Sequence, residues 1–487
     1  MSLMKSAAGI LACSTFVGLA GVMTQNVDAA APAKAPTNTK PNVIYILADD
    51  AGMHNFGAYG GTMINTPNID RLAERGMKFT QHYAGASVCG PSRCVLMTGL
   101  HTGHALLRSN IHNMTLRSED VTIGEVMKVA GYTTGAIGKW GLGMEFQEGA
   151  PNSQGFDFFY GYLDQSNAHQ YYPEHMWRNN KMEWLRGNQR RRNQYSHDLF
   201  ANEALNFIDR NKDKPFFLYL PFTLPHTELT VPEDSMKEYE GKFVEEGSHW
   251  LDTFEQTKPR QTYAAMVSRL DRTVGEVMAK IEELGLSENT IIMFASDNGG
   301  DEGGGSIVTD YFKSNYPYSG KKRTFYEGGV RVPFIVSWPG KIKAGTSTDH
   351  MSGFQDILPT FADIANVQNN QPTDGISFLP TLLGDDKSQV KHDYMYWEHN
   401  STRYHNGKRI NCQALRYGDW KLLRFVDPET PAQVDYELYN LKDDIQETTN
   451  VAKAKPEVVY NLIQKMESVR TPSELFPLAY YNKDKKN

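Results

Sequence analysis

Short apolar runs, each bounded by turn residues and separated by stretches of helical periodicity, restrict the architectures open to this chain. The runs are 43–47, 134–137, 216–220, 291–294 and 334–336. Unbroken apolar runs of this length suit parallel strands covered on both faces. Between runs 216–220 and 291–294, Val267, Leu270, Val274, Val277 and Ile281 recur at helical spacing. The alternation predicts an α/β fold, a large mixed, mostly parallel sheet sandwiched by helices. Near residue 385 the pattern changes. Segments 394–397, 420–425 and 436–441 look like strands, and a helix follows with Pro456 in its first turn and Val459, Leu462, Ile463 and Met466 on one face. A main domain at 41–385 is therefore expected, with a smaller C-terminal antiparallel sheet plus one helix at 386–487.

Composition narrows the functional classes. The 487 residues are 40% hydrophobic and 22% charged, which is globular rather than disordered. A formal charge of −7 argues against nucleic-acid binding as the main role. Lys5, an apolar run at 7–23 and the small-residue site Val27-Asp28-Ala29 predict a signal peptide over 1–29. An Ala/Pro/Thr/Asn-rich linker follows at 30–40. No other run is long enough to cross a bilayer, so no stable membrane span is expected, and the location is expected to be periplasmic or secreted. Cleavage would leave Cys89, Cys94 and Cys412, an odd number that raises the question of a lone thiol.

The polar residues fall at the strand ends. Run 43–47 leads into Asp49-Asp50, and run 291–294 into Asp297-Asn298. Run 134–137 leads to Lys139, and run 216–220 to Pro225-His226. In open α/β sheets the site lies beyond the carboxyl ends of the strands. Asp49, Asp50, Asp297 and Asn298 offer oxygen only, which is Ca²⁺ or Mg²⁺ chemistry. The alternative is a set of turn-forming residues. Cys89 precedes Pro91 and an apolar stretch ending at Gly99, which predicts a helix with Cys89 at its N-terminus. Such a thiol is either a nucleophile favoured by the helix end or one of a structural pair with Cys94.

Cys89-Gly90-Pro91-Ser92-Arg93 resembles the C-x-P-S-R signature of the type I sulfatases, in the alkaline phosphatase superfamily. Segment 131–140, ending in Gly138-Lys139-Trp140, is similar to that family's second signature. Segments 66–72, 327–333 and 414–422 are similar to it as well, so the resemblance extends over nearly all the chain from Pro41. It implies a sulfuric ester hydrolase in which Cys89 is oxidised to formylglycine by a formylglycine-generating maturation enzyme. The aldehyde hydrates, one hydroxyl attacks sulfur, and the second expels sulfate as the carbonyl re-forms. By the same resemblance Asp49, Asp50, Asp297 and Asn298 hold Ca²⁺, or Mg²⁺, together with the group derived from Cys89. Arg93 would hold the diol, and Asp297 would help deprotonate it. Lys139 and Lys322 would clamp the sulfate, and His226 would protonate the leaving oxygen.

One position departs from the family pattern. Many members carry a histidine two residues after the signature lysine, where this chain has Gly141. His104 and His169 are the candidates to replace it. His169 is also expected at the substrate, because the aromatic-rich stretch 169–177 could stack on a sugar. The basic cluster from Arg186 to Arg192 would suit a sulfated glycan; a packed aromatic cluster beside a solvated charge run is the plainer account. A sulfated polysaccharide or oligosaccharide is thus the expected partner. Alternatives are an arylsulfatase acting on small esters and a weakly active glycan-binding homologue.

Overall fold

In the strand Asn42–Ala48, Val43, Tyr45 and Leu47 enter one hydrophobic core, and Ile44, Ile46 and Ala48 enter another. A strand with no solvent face needs apolar residues at every position, hence the unbroken run. The computed structural model describes residues 40–111, 115–246, 249–250, 255–301, 308–368, 370–404 and 408–479. The expected signal peptide and the linker up to residue 39 lie outside the described residues.

Asn42–Ala48 sits near the middle of a ten-stranded sheet. On one side it pairs in parallel with Thr290–Ser296, on the other with Phe216–Pro221, Thr133–Lys139 and Phe158–Tyr162 in turn. Helices Ser196–Asn211 and Pro259–Glu283 contribute to the core on one face. Helices Cys89–Thr98, Ile123–Val129 and Ile357–Ala365 contribute to the other. The mixed, mostly parallel α/β sandwich is therefore the observed fold. One apolar run differs from the parallel reading: Phe334–Ser337 is antiparallel to both its neighbours. It is buried on both faces like the parallel strands, so its composition carries no mark of its direction. The strands His175–Arg178 and Lys181–Trp184, the latter at the edge, also extend the sheet without an apolar run to announce them.

A second, four-stranded antiparallel sheet is built from Tyr394–Tyr404, Lys408–Tyr417, Trp420–Val426 and Val434–Asn440. One face packs Trp397, Ala414 and Leu423 against Tyr83, Phe325 and Val330. Its other face packs Leu415, Leu422 and Leu438 against Val459, Leu462 and Met466 of the helix Pro456–Ser468. A buried Lys421 reaches across to Glu327 at 2.9 Å and to Glu447 at 3.0 Å.

Candidate active site

Strand register sets the site. Ala48 lies opposite Ser296, so the next residues of both strands emerge side by side, and Asp297 N donates to Ala48 O at 3.0 Å. Asp50 takes a left-handed turn (φ 64°), a conformation Asp tolerates better than most residues. Its backbone N–H donates to Asp297 Oδ1 at 3.1 Å, and its Oδ1 accepts from Asn298 Nδ2 at 2.7 Å. The two strand-end pairs are thus one cluster.

Cys89 opens the helix Cys89–Thr98, which Gly99 ends in the left-handed region at φ 72°. Ser92 Oγ ties this helix to the cluster by donating to Asp297 O at 2.6 Å. Potential ligand atoms of Cys89, Asp49, Asp50 and His226 all lie within 4.8 Å of one another. Cys89 itself is buried, but Val88, Asn110 and Arg323 around it line a cavity of about 400 Å³. Cys89, Cys94 and Cys412 are all free, so the Cys89–Cys94 pairing is not formed. Burial pushes the Cys94 thiol up to about 12, which leaves it inert at neutral pH.

Buried cations surround the carboxylates. Arg93 donates from Nε and Nη2 to Asp297 Oδ2, at 3.1 and 2.9 Å, and from Nη1 to Lys139 O at 2.8 Å. Lys139 Nζ donates to Asp49 Oδ2 at 2.7 Å. Lys322 Nζ donates to Asp50 Oδ2 at 2.6 Å and sits 3.1 Å from His226 Nε2. His226 Nδ1 donates to the Thr227 carbonyl, which turns Nε2 toward Lys322 and Asp50 Oδ2, the latter at 3.3 Å. Burial alone would raise Asp49, but Lys139, His226 and Arg93 hold it well below the usual carboxylate range. Asp297 moves the other way despite its ion pair with Arg93, because burial and then the charge of Asp49 push it up. Asp49 and Asp297 share the Arg93 guanidinium, and the repulsion between these two carboxylates is of the kind a divalent ion relieves. Asp49 Oδ1 and Asn298 Oδ1 are buried with no hydrogen-bond partner among the described residues. These orphaned oxygens, beside Asp50 and Asp297, fit a hard cation.

All the expected strand-end residues therefore converge, with Arg93 and Lys322. His169 joins them, its ring stacked on His226 at 4.4 Å. Burial, then His226, pushes His169 down to about 3, so it is neutral at pH 7. His104 instead bonds Asp374 at 2.8 Å and stacks on His101, in a separate cluster. Within the stretch 169–177, Tyr171 and Trp177 are buried, and Tyr171 donates to the Thr223 and His226 carbonyls. Those two rings are packing residues, whereas the neighbouring Arg190 and Arg191 are exposed. Sequence reading missed Gln165. A Cβ at Gly141, which has φ 75°, would lie 2.0 Å from Gln165 Nε2. The Gln165 amide thus fills space that a side chain at 141 would need, a relation no local pattern betrays. A larger cavity of about 550 Å³, lined by Asp70, Asp234, Arg269 and Asp271, contains none of these groups.

Oxygen-bearing side chains at the ends of parallel strands, a helix-borne cysteine and two buried lysines make a site able to hold a metal ion beside a nucleophile. A family profile described as Sulfatase matches residues 41–367, and one described as N-sulphoglucosamine sulphohydrolase, C-terminal, matches 318–472. N-acetylgalactosamine-6-O-sulfatase of Bacteroides thetaiotaomicron is 29% identical, covering 89% of this chain and 93% of its own. Arylsulfatase A of Homo sapiens is 32% identical, covering 87% and 86%. The crystal structure of Ps i-CgsB in complex with k-i-k-neocarrahexaose is 30% identical with a TM-score of 0.74, covering 89% and 94%. The chain belongs to the sulfatase family, as a type I member of the alkaline phosphatase superfamily, and its activity is hydrolysis of a sulfuric ester.

Proposed function

We propose that the protein removes sulfate from a sulfated carbohydrate, using formylglycine made from Cys89 and Ca²⁺ held by Asp49, Asp50, Asp297 and Asn298. The observation that carries this reading is the placing of Cys89 within 4.8 Å of Asp49, Asp50 and His226, on a rim where Arg93, Lys139 and Lys322 are buried. The names of the relatives, an N-acetylgalactosamine-6-O-sulfatase and a complex with a neocarrahexaose, favour a carbohydrate over a small aryl ester. In this reading the chain is exported to the periplasm or beyond, matures by way of a formylglycine-generating enzyme, and divides into residues 41–385 and 386–487.

The roles follow from the geometry. The hydrated aldehyde supplies a nucleophilic oxygen together with a second hydroxyl whose deprotonation releases sulfate, and the cation supplies positive charge for both. Arg93, bonded to Asp297, orients the group at 89 and keeps its charge balanced. Lys139 and Lys322, bonded here to Asp49 and Asp50, would turn to the sulfate oxygens where those carboxylates hold the cation. His226 is held by its Nδ1 contact, so that Nε2 faces the rim for proton transfer to the leaving oxygen. His169, neutral and stacked on it, excludes water from that ring face.

The test is a panel of defined sulfated oligosaccharides, with 4-nitrophenyl sulfate alongside, assayed for inorganic sulfate with the converted, Ca²⁺-loaded protein. Release chiefly from an oligosaccharide is expected. Release from the aryl ester alone would replace this reading with an arylsulfatase, and release from none would leave a glycan-binding homologue.

A further inference from the structure

We propose that the cavity beside Cys89 is the sugar subsite, and that Arg323 and Arg409 within it recognise a second anionic group on the same glycan. The inference rests on the carbohydrate reading above and names its substrate class: a glycan bearing a second sulfate or a carboxylate near the scissile ester.

The cavity holds about 400 Å³, room for a sugar unit with its substituents. Its walls come from both parts of the fold. Val88 precedes Cys89 in the chain, and Asn110 Oδ1 accepts from Gly90 N at 3.0 Å. Arg323 follows Lys322 and fixes its backbone by donating N–H to Ser87 O at 2.7 Å. His399, Asn400 and Arg409 come from the C-terminal sheet. A group bound here therefore lies next to the nucleophile and beside the lysine that faces the sulfate.

Charge decides what that group is. Among the described residues no Asp or Glu lines the cavity. His399 Nδ1 accepts from Ser401 N at 3.0 Å, so its proton sits on Nε2, which faces Ser109 Oγ at 3.3 Å. Burial, then Arg323, pushes His399 down to about 4, so it adds no charge at pH 7. The two arginines thus set the potential. Arg323 donates from Nη1 to Asp301 at 2.6 Å, which holds its guanidinium in place at the cavity wall. Arg409 is exposed and has no ion-pair partner among the described residues. A neutral sugar would leave both guanidinium forks facing hydroxyls, whereas a sulfate or carboxylate accepts from them in the bidentate manner arginine favours.

The experiment compares kcat/KM of the converted full-length protein, Arg409→Gln and Arg323→Gln on three oligosaccharides of one backbone. One carries a single sulfate, one a second sulfate nearby, and one a neighbouring uronate carboxylate. The wild type should prefer at least one doubly anionic substrate, and which one identifies the anion. Each variant should lower the ratio of doubly to singly anionic turnover about tenfold, the usual scale for losing a charge-assisted hydrogen bond. Arg409→Gln removes an exposed side chain, so folding does not confound it. No wild-type preference, or an equal fall on all three substrates, would overturn the inference while leaving the carbohydrate reading intact. Absence of sulfate release from every substrate would overturn the carbohydrate reading instead, and this inference with it.

Discussion

Lys322 Nζ lies 3.1 Å from His226 Nε2, and both point at Oδ2 of Asp50, at 2.6 and 3.3 Å. Two groups with separate proposed tasks, anchoring sulfate and protonating the leaving oxygen, are therefore held by one carboxylate. Lys322→Met should cut kcat on a sulfated oligosaccharide by about 100- to 1,000-fold, the scale for losing one preorganised charge stabiliser. Affinity for Ca²⁺ should not weaken, since Asp50 loses a competing cation. Steady-state kinetics with a Ca²⁺ titration checks this, and unchanged kcat would remove Lys322 from the sulfate site.

Calcium should stabilise the fold and release protons. The orphaned Asp49 and Asn298 oxygens gain a partner, and Asp297, held up by burial and by Asp49, must ionise to join them. An ion that binds only the native state raises the melting temperature, and at 100 times its Kd adds about 2.7 kcal/mol. Calorimetric titration in two buffers of different ionisation enthalpy should report proton release and affinity rising with pH. No melting shift with Ca²⁺, or with Mg²⁺, would contradict the cation site.

Much of this site was legible in the chain because chemistry and periodicity coincided. The runs ending in Asp49-Asp50 and Asp297-Asn298 mark strand ends by composition alone, and Pro91 and Gly99 mark the ends of the helix that carries Cys89. What stayed hidden depends on contacts far apart in sequence. Gln165 occupies the space beside Gly141 only because two loops meet, and Asn110 caps Gly90 across 20 residues. The rings at 169–177 read as a sugar platform, but Tyr171 and Trp177 face inward, and an aromatic run looks the same in either orientation. Arg409 reaches the cavity by way of a sheet whose docking no local pattern encodes.

His197 makes stability sensitive to acid. Burial pushes it down to about 3, against an ordinary value near 6.5. Its folded-state value is depressed, so its neutral form supports the fold above pH 6.5, and that support is lost as pH falls toward 3. His197→Gln does not titrate. The stability difference between wild type and variant should therefore fall by about 1.4 kcal/mol per pH unit below pH 6.5. Urea denaturation at pH 7 and pH 5 measures it, and a pH-independent difference would contradict the buried neutral ring.

Lys421 fastens the C-terminal sheet. Burial opposes ionisation of Glu327, yet Lys421 and then Arg331 hold it down at about 2, while burial leaves Glu447 at about 7. Lys421→Met strips the shared cation from two buried carboxyls and should cost about 3–5 kcal/mol. Calorimetry should show a lower melting temperature; an unchanged one would contradict the charge triad as a fastening.

The central claim is that the group made from Cys89 performs the chemistry. Preparations matured to different degrees can be assayed for the fraction of the Cys89 peptide whose mass is lower by about 18 Da, the change from thiol to aldehyde. Sulfate release per mole of protein, plotted against that fraction, should give a straight line through the origin. Full activity in protein whose Cys89 is still a thiol would contradict the account.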